Sequence, residues 1–300
     1  MEIELRTAVA ADIPRIREIS AQIWDGDDFA GHLITHWLDD PHGEVTVTLL
    51  EGAVVGFARF YWLLPGYAWF EALRTDPSQR LRGAAKAITR YFLEKARTEG
   101  AERVGLSTYL SSLASIHIIE THDFNRVAEF IFCVAPHQAP VYAQAAPSSR
   151  AVEVSSAEAL PFVRQSTFWR LARGHLPHGW KFYPFERAPQ HWLARMQYRF
   201  GLRDAQGRLT ALLCMGDPNR EANEQSINFL EGDAEGMAEL LRHALHLARD
   251  NRWLGMMLPN SEGQIPPVLN VAQQLGFSSW NDYQADVYVY EQALPTGGQP

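Results

Sequence analysis

The second half of the 300-residue chain echoes the first, landmark by landmark and in the same order. Glu4-Leu5-Arg6-Thr7, followed by Asp12-Ile13-Pro14-Arg15-Ile16-Arg17, is answered by Glu153-Val154-Ser155-Ser156, followed by Ala159-Leu160-Pro161-Phe162-Val163-Arg164. Each reads as a short strand and then a helix with proline in its first turn, where the missing N–H costs nothing. Each helix ends near a tryptophan, Trp24 or Trp169. Residues 45–62 read as a β-rich hairpin around Glu51-Gly52, and residues 198–215 as one around the stretch from Asp204 to Gly207. A helix followed by His122-Asp123-Phe124 in one half, and by Leu275-Gly276-Phe277 in the other, leads into a strand over residues 127–134 or 286–290. The length agrees with two domains, since single cores stop growing at roughly 250–300 residues.

The expected division is a first domain over residues 1–135, a linker over 136–150, a second domain over 151–293 and a frayed tail over 294–300. The linker assignment rests on its Pro/Ala/Ser composition. In the first half the order is strand, helix pair, hairpin, strand (68–74), helix (84–99), strand (104–107), helix (113–121) and strand. That order gives an α/β class, a mixed curved sheet flanked by helices.

Charge and composition exclude several roles. Lys and Arg number 27 against 35 Asp and Glu, a net charge of −8 that argues against a duplex-binding partner. No apolar run reaches the roughly 20 residues of a spanning helix, and the acidic N-terminus is unlike a secretory signal, so neither a membrane nor an export route is expected. Two distant cysteines, Cys133 and Cys214, suggest neither a disulfide framework nor a zinc cluster, and the expected compartment is the cytoplasm. Nothing in the sequence fixes an oligomeric state.

The segment that carries chemistry is Thr75-Asp76-Pro77-Ser78-Gln79-Arg80-Leu81-Arg82-Gly83-Ala84-Ala85. It follows an apolar strand and opens a helix in which Ile88, Tyr91, Phe92 and Ala96 recur at helical spacing. A turn of small residues entering a helix presents unpaired N–H groups and the positive end of the helix dipole to an anion. Gly83 and Ala85 keep side chains out of the way of a pyrophosphate, and Arg80 and Arg82 add charge. On composition alone, an ordinary helix start with solvated arginines accounts for the segment equally well.

Here the chain resembles the GNAT N-acetyltransferase superfamily, whose acetyl-coenzyme A loop follows the pattern Q/R-x-x-G-x-G/A after a strand ending in V-x-P. Arg80-x-x-Gly83-x-Ala85 and Thr75-x-Pro77 match it, with Thr in place of Val. The family's later pattern N-x-x-A-x-x-x-Y-x-x-x-G-F falls on Ser112, Ser115, Ile119, Asp123 and Phe124, with identity only at Phe124. The tandem arrangement is similar to the two-domain branch that includes mycothiol-synthase-like enzymes, with the second domain as a degenerate copy. The resemblance implies two GNAT-like domains and acetyl-CoA as co-substrate, bound by Leu73, Thr75, Arg80, Leu81, Arg82, Gly83, Ala84, Ala85, Ser112 and Ser115. It implies transfer of an acetyl group to the amine of a small molecule, with the oxyanion met by a backbone N–H near Leu73 to Thr75. Ile119 stands where the family often has a proton-donating tyrosine, which leaves the leaving-group acid open and keeps a non-catalytic acyl-CoA-binding or sensor protein as the alternative. A structural two-domain protein with a decayed site is a third reading.

Glu71 lies two residues before Leu73 and, by strand alternation, on its face. It occupies a position where the family often has a general base, so it is either the base or a structural carboxylate. Trp62, in the aromatic stretch 61–67, is either an acceptor wall or core packing. His36, with His32 and the acids Asp25, Asp27 and Asp28, either greets a cationic amine or sits in a solvated turn. His117, His122 and Tyr109 are weaker candidates for the acid, and no metal is expected.

Overall fold

The computed structural model describes residues 3–26, 28–79, 83–137, 139–216, 223–261 and 264–295. It contains two compact units: Met1–Leu106, Leu113–Asn125 and Tyr290–Pro300 in the first, and Ser107–Ser112 with Arg126–Val289 in the second.

In the first unit, β1 (Ile3–Thr7) leads to α1 (Ile13–Ser20), which carries Pro14 in its opening turn, and then to α2 (Ala30–Leu38). The hairpin β2 (Gly43–Leu50) and β3 (Ala53–Leu64) closes through Glu51 and Gly52, both at positive φ (50° and 77°), as a right-twisted two-residue hairpin requires. Next come β4 (Tyr67–Thr75), α3 (Ala84–Thr98), β5 (Arg103–Tyr109) and α4 (Leu113–Glu120). The strands pair β1-β2-β3-β4 antiparallel, and β4 joins β5 in parallel from Tyr67↔Arg103 to Phe70↔Leu106.

Strand alternation divides the β3 side chains between two faces. Phe57 joins Ile34, Trp37, Val45 and Val47 in the core beneath α1 and α2. Phe60 stacks with Phe70 and Phe92 on the α3 side.

In chain order the remaining elements are β6 (Asn125–Pro136), β7 (Val152–Glu153), α5 (Ser156–Gln165), α6 (Thr167–Leu171), the hairpin β8 (His175–His178) and β9 (Lys181–Pro184), and α7 (Pro189–Ala194). They continue with β10 (Met196–Arg203), β11 (Leu209–Gly216), β12 (Glu224–Glu231), α8 (Ala234–Leu247), β13 (Trp253–Asn260), α9 (Pro267–Leu275), β14 (Ser278–Ser279) and β15 (Val287–Ala293). In the second unit β7, β10, β11 and β12 pair antiparallel in that order, and β12 joins β13 in parallel from Glu224↔Trp253 to Ile227↔Met256. Both units therefore carry a parallel pair that holds register over only four residues.

The units cut across the halves of the sequence. β6 pairs antiparallel with β13, from Trp253↔Pro136 to Asn260↔Glu129, within the second unit. Glu291, near the end of β15, belongs to the first, where Tyr67 donates to it (2.6 Å) and Arg103 pairs with it (3.3 Å). Leu294, expected in a frayed tail, is buried and its N–H donates to the carbonyl of Glu102 (2.8 Å); residues 296–300 lie outside the described residues.

Two further expectations change. Pro161 sits inside α5 and not in its first turn, because Ser155 and Glu158 form a reciprocal capping box that starts the helix a turn earlier. The segment expected to be an extended linker packs on the second unit. It forms a 3-10 turn at Pro140–Gln144, buries Val141, and ties Ser148 and Arg150 to Glu239 of α8.

Candidate active site

The candidate site is built on β4. Its register with β3 jumps from Arg59↔Glu71 to Phe57↔Arg74, so two residues of β4, Ala72 and Leu73, stand against Ala58 alone. Ala72 carries the strain of this bulge with φ at 54°, a conformation costing about 1–3 kcal/mol for a residue with a side chain.

The bulge corrects the alternation argument. Residues directly opposite one another share a face, so Glu71 lies with Arg59 and Arg74 lies with Phe57, all on the α1–α2 side. Arg74, and not Leu73, is therefore the next outward residue on the face of Glu71. The bulge leaves Ala72 and Leu73 outside the β3 register, just past the last β4–β5 register pair, Phe70↔Leu106.

Glu71 is held by the buried guanidinium of Arg59, whose Nη1 donates to its Oε1 at 2.7 Å. Arg59 Nη2 pairs with Asp40, just after α2, and the guanidinium lies over the rings of Trp37 (4.9 Å) and Tyr61 (4.8 Å). Three residues on, Arg74 grips Asp28 with two bonds, Nε to Oδ2 at 3.1 Å and Nη2 to Oδ1 at 2.9 Å. Ser20 also donates to Asp28, at 2.8 Å. Trp24, half-exposed and at φ 48°, stacks on Arg74 at 4.5 Å.

The turn after β4 is equally fixed. Asp76 is buried, accepts from the N–H (2.8 Å) and hydroxyl (2.7 Å) of Ser78, and pairs with Arg15 of α1. Burial pushes its carboxyl upward, but the Ser78 bonds and Arg15 outweigh that and hold it below the ordinary carboxylate range. Gly83 takes φ 116° as the residue before α3 and, having no side chain, gives that helix no N-cap side-chain bond.

Of the expected cofactor contacts, Leu73, Thr75, Gly83 and Ala85 are half-buried along this strand-turn-helix, while Ala84 is buried beneath it. Arg80, Leu81 and Arg82 lie outside the described residues. Ser115 is half-buried in the first turn of α4, and Ser112 lies in the turn before it, its N–H donating to the carbonyl of Tyr109 (2.9 Å). Ile119 is a core residue, His117 is exposed, and the Nδ1 of His122 lies 2.8 Å from the carbonyl of Ile118.

The two acceptor candidates are not gathered around Glu71. Trp62 pairs with Ala68 at the hairpin end of β4 and packs its edge on Phe60, on the α3 face. His36 is exposed on α2, adjacent in sequence to Trp37, which faces Arg59. Of the acidic run, Asp28 is buried in its pair with Arg74, and Asp27 lies outside the described residues.

Arg59, Asp40 and Arg74 escaped the sequence reading. A signal was present: Arg59 interrupts an otherwise apolar strand, and a charge in such a place needs a buried partner.

Among the described residues, no group of three or more His, Cys, Asp or Glu is placed to hold a metal ion, and no helix is long and apolar enough to cross a membrane. Each unit is a mixed sheet in which a bulged strand leads towards a helix, through Ala72 to α3 in the first and Asn228 to α8 in the second. The match to the Acetyltransferase (GNAT) family covers residues 13–124, ending at the residue before β6, so the chain carries a GNAT acetyltransferase domain in its first half. In structure the whole chain is similar to a GCN5-related N-acetyltransferase from Sphaerobacter thermophilus, with TM-score 0.66, 13% identity, and coverage of 97% of this chain and 95% of that one. It is also similar to a tandem GNAT protein from the clavulanic acid biosynthesis pathway, solved without AcCoA, with TM-score 0.63, 16% identity and 100% of both chains covered. No curated protein sequence matches the chain.

Proposed function

We propose that the first half of the chain is an acetyl-CoA-dependent N-acetyltransferase acting on the amine of a small molecule, with Glu71 as general base. The observation that carries this reading is the position of Glu71, an ion-paired carboxylate immediately before the strained bulge of β4. The backbone near Leu73 to Thr75, past the last β4 pair with β5, supplies an N–H for the oxyanion and an edge for the pantetheine arm. The start of α3 at Gly83, Ala84 and Ala85 receives the pyrophosphate.

Glu71, directly or through one water, takes a proton from the amine, and the nitrogen attacks the thioester carbonyl carbon. Negative charge on the carbonyl oxygen is met by the fixed backbone donor. The intermediate then collapses, the carbon–sulfur bond breaks, and coenzyme A leaves as a thiolate that takes a proton from solvent while Glu71 returns its proton there. No covalent enzyme intermediate is needed.

The test is Glu71→Gln, assayed by thiol release on a panel of spermidine, glucosamine, an aminoglycoside and a short peptide. Turnover should fall by the 10²–10⁴ typical of a general base while acetyl-CoA affinity stays unchanged. Turnover within twofold of the parent removes Glu71 from the role. The burial of Ile119, which leaves α4 without a proton donor at that position, favours the second reading, an acyl-CoA-binding protein without turnover. Acetyl-CoA binding with no thiol release from any amine would establish that one.

A further inference from the structure

We infer that Arg59, braced by Asp40, Trp37 and Tyr61, is the positioning residue of the base, and that Glu71 works only while this clamp holds it. The inference rests on the reading of Glu71 as base and adds the residues that aim it. Arg59 stands directly opposite Glu71 in the β3–β4 register, so the pair spans the two strands without bending either. Its side chain is only 3% exposed, against 9% for Glu71 and 16% for Asp40. A buried guanidinium must be paired, and here its two terminal nitrogens divide between two carboxylates from different elements. Trp37 comes from α2 and Tyr61 from β3, and the guanidinium lies over both rings, which confine it. Gly43 on β2 makes the room: a Cβ there would stand 3.0 Å from both Nε and Nη2.

Each of these contacts restricts one freedom of Glu71. The Nη1 bond fixes Oε1, the aromatic walls fix the guanidinium, and Asp40 fixes the far side of the fork. Arg59 touches no reacting atom in the proposed reaction. Its part is to hold the carboxylate aimed just ahead of Ala72, where a misplacement of about 1 Å costs on the order of 100-fold in rate. The end of α2 and the base are thereby mechanically joined through Asp40 and Arg59.

Lysine is a discriminating replacement, because it keeps the charge but has neither the planar fork nor the two-sided grip. In Arg59→Lys, kcat should fall by roughly 10- to 100-fold with the KM for acetyl-CoA unchanged, measured with the best acceptor of the amine panel. In the Glu71→Gln background the same change should have no further effect on kcat, since a residue that acts through Glu71 has nothing left to aim. Crystal structures of the free parent and the lysine variant give a readout independent of acceptor, and the Glu71 carboxylate should leave its single position in the variant. Should the lysine variant not fold, Asp40→Asn carries the test. It leaves Arg59 and Glu71 in place, loosens one arm, and should lower kcat in the Glu71 background only.

Equal losses in both backgrounds, or a raised acetyl-CoA KM at unchanged kcat, would overturn the positioning role while leaving the base intact. An unmoved carboxylate with full turnover would do the same. If Glu71→Gln alone is silent, the base reading fails first and this inference with it.

Discussion

Asp286, at the head of β15 in the second unit, offers a quantitative prediction. It is fully buried; its backbone N–H donates to Phe130 (2.9 Å), its carbonyl accepts from Leu110 (2.7 Å), and its Oδ1 accepts from the N–H of Phe132 (2.8 Å). Its Oδ2 has no hydrogen-bond partner. Burial drives the carboxyl up to about 7, against the lowering effect of the Phe132 bond. The nearby thiol of Cys133 is likewise pushed up to about 12, by burial and then by Asp286. An unfolded aspartate titrates near 4. Between about pH 4 and pH 7 the folded chain keeps a proton that the unfolded chain has lost, so this residue makes stability fall as pH rises through that window. At about 1.4 kcal/mol per tenfold change in proton affinity, the loss amounts to roughly 4 kcal/mol at pH 8. Asp286→Asn keeps the acceptor for Phe132 and removes the ionisation. Urea unfolding should find the variant close to the parent at pH 4.5 and more stable by a few kcal/mol at pH 8, a gain of about 2–4 °C in Tm per kcal/mol. A variant destabilised equally at both pH values, or a parent–variant difference that does not change with pH, would refute the argument.

Gly83→Glu should abolish acetyl-CoA binding in a folded chain, through both the positive φ and the new charge at the pyrophosphate position. Gly83→Ala isolates the strain, since among the described residues a Cβ there meets only Ile3 at 3.7 Å; isothermal titration that finds the glutamate variant still binding would remove the loop from the site. Asp76 is held below the ordinary carboxylate range in the fold, so its contribution is present above about pH 4 and lost as pH falls through its lower folded value. Asp76→Asn should therefore cost stability at pH 7 and less at pH 2.5, and an equal cost at both pH values in circular-dichroism melts would count against the Ser78 and Arg15 contacts as its source.

What the sequence made legible follows from whether the signal was local. Glu51-Gly52 announces a turn because two positive φ values suit few residues, and Gly83 announces the start of α3 for a similar reason. Ala72 announces nothing: alanine is at home in any strand, and its positive φ arises only from the unequal count of residues between β3 and β4. The face assigned to Leu73 failed for that reason. Pro161 misled because one proline outweighed the Ser155-x-x-Glu158 pattern that caps α5. Strand partners were also beyond local reading. The strands read over residues 127–134 and 286–290 fall on β6 and β15, but periodicity does not say which neighbour each will choose. Asp28 looked like part of a solvated acidic turn because its partner, Arg74, is 46 residues away in sequence.

The two halves share a plan but differ where a cofactor would sit, and that difference predicts one acetyl-CoA per chain. In the second unit the β11–β12 register jumps from Cys214↔Phe229 to Met215↔Ile227, leaving Asn228 as the bulged residue that answers Ala72. Ala72 has no polar side chain to spend, whereas Asn228 is buried and its Oδ1 accepts from the N–H of Gly179 (3.1 Å), so the β8–β9 hairpin sits over the bulge. The helix that follows differs in the same sense. α8 is capped by Asp233, whose carboxylate accepts from the N–H of Gly236 at 2.7 Å, whereas the N-cap of α3 is Gly83, which has no side chain to bond with. A carboxylate already fills the place a phosphate would take, and it satisfies the helix dipole. Glu231, two residues earlier, is committed to the N–H groups of Thr167 (2.7 Å) and Phe168 (2.6 Å). A pyrophosphate approaching α8 would have to displace one anion and pass another. Calorimetric titration of the ligand-free chain should therefore give one site, lost in Gly83→Glu and untouched by Asp233→Asn. A stoichiometry of two, or a site that survives Gly83→Glu in a folded chain, would show that the second half binds acetyl-CoA despite its own carboxylates.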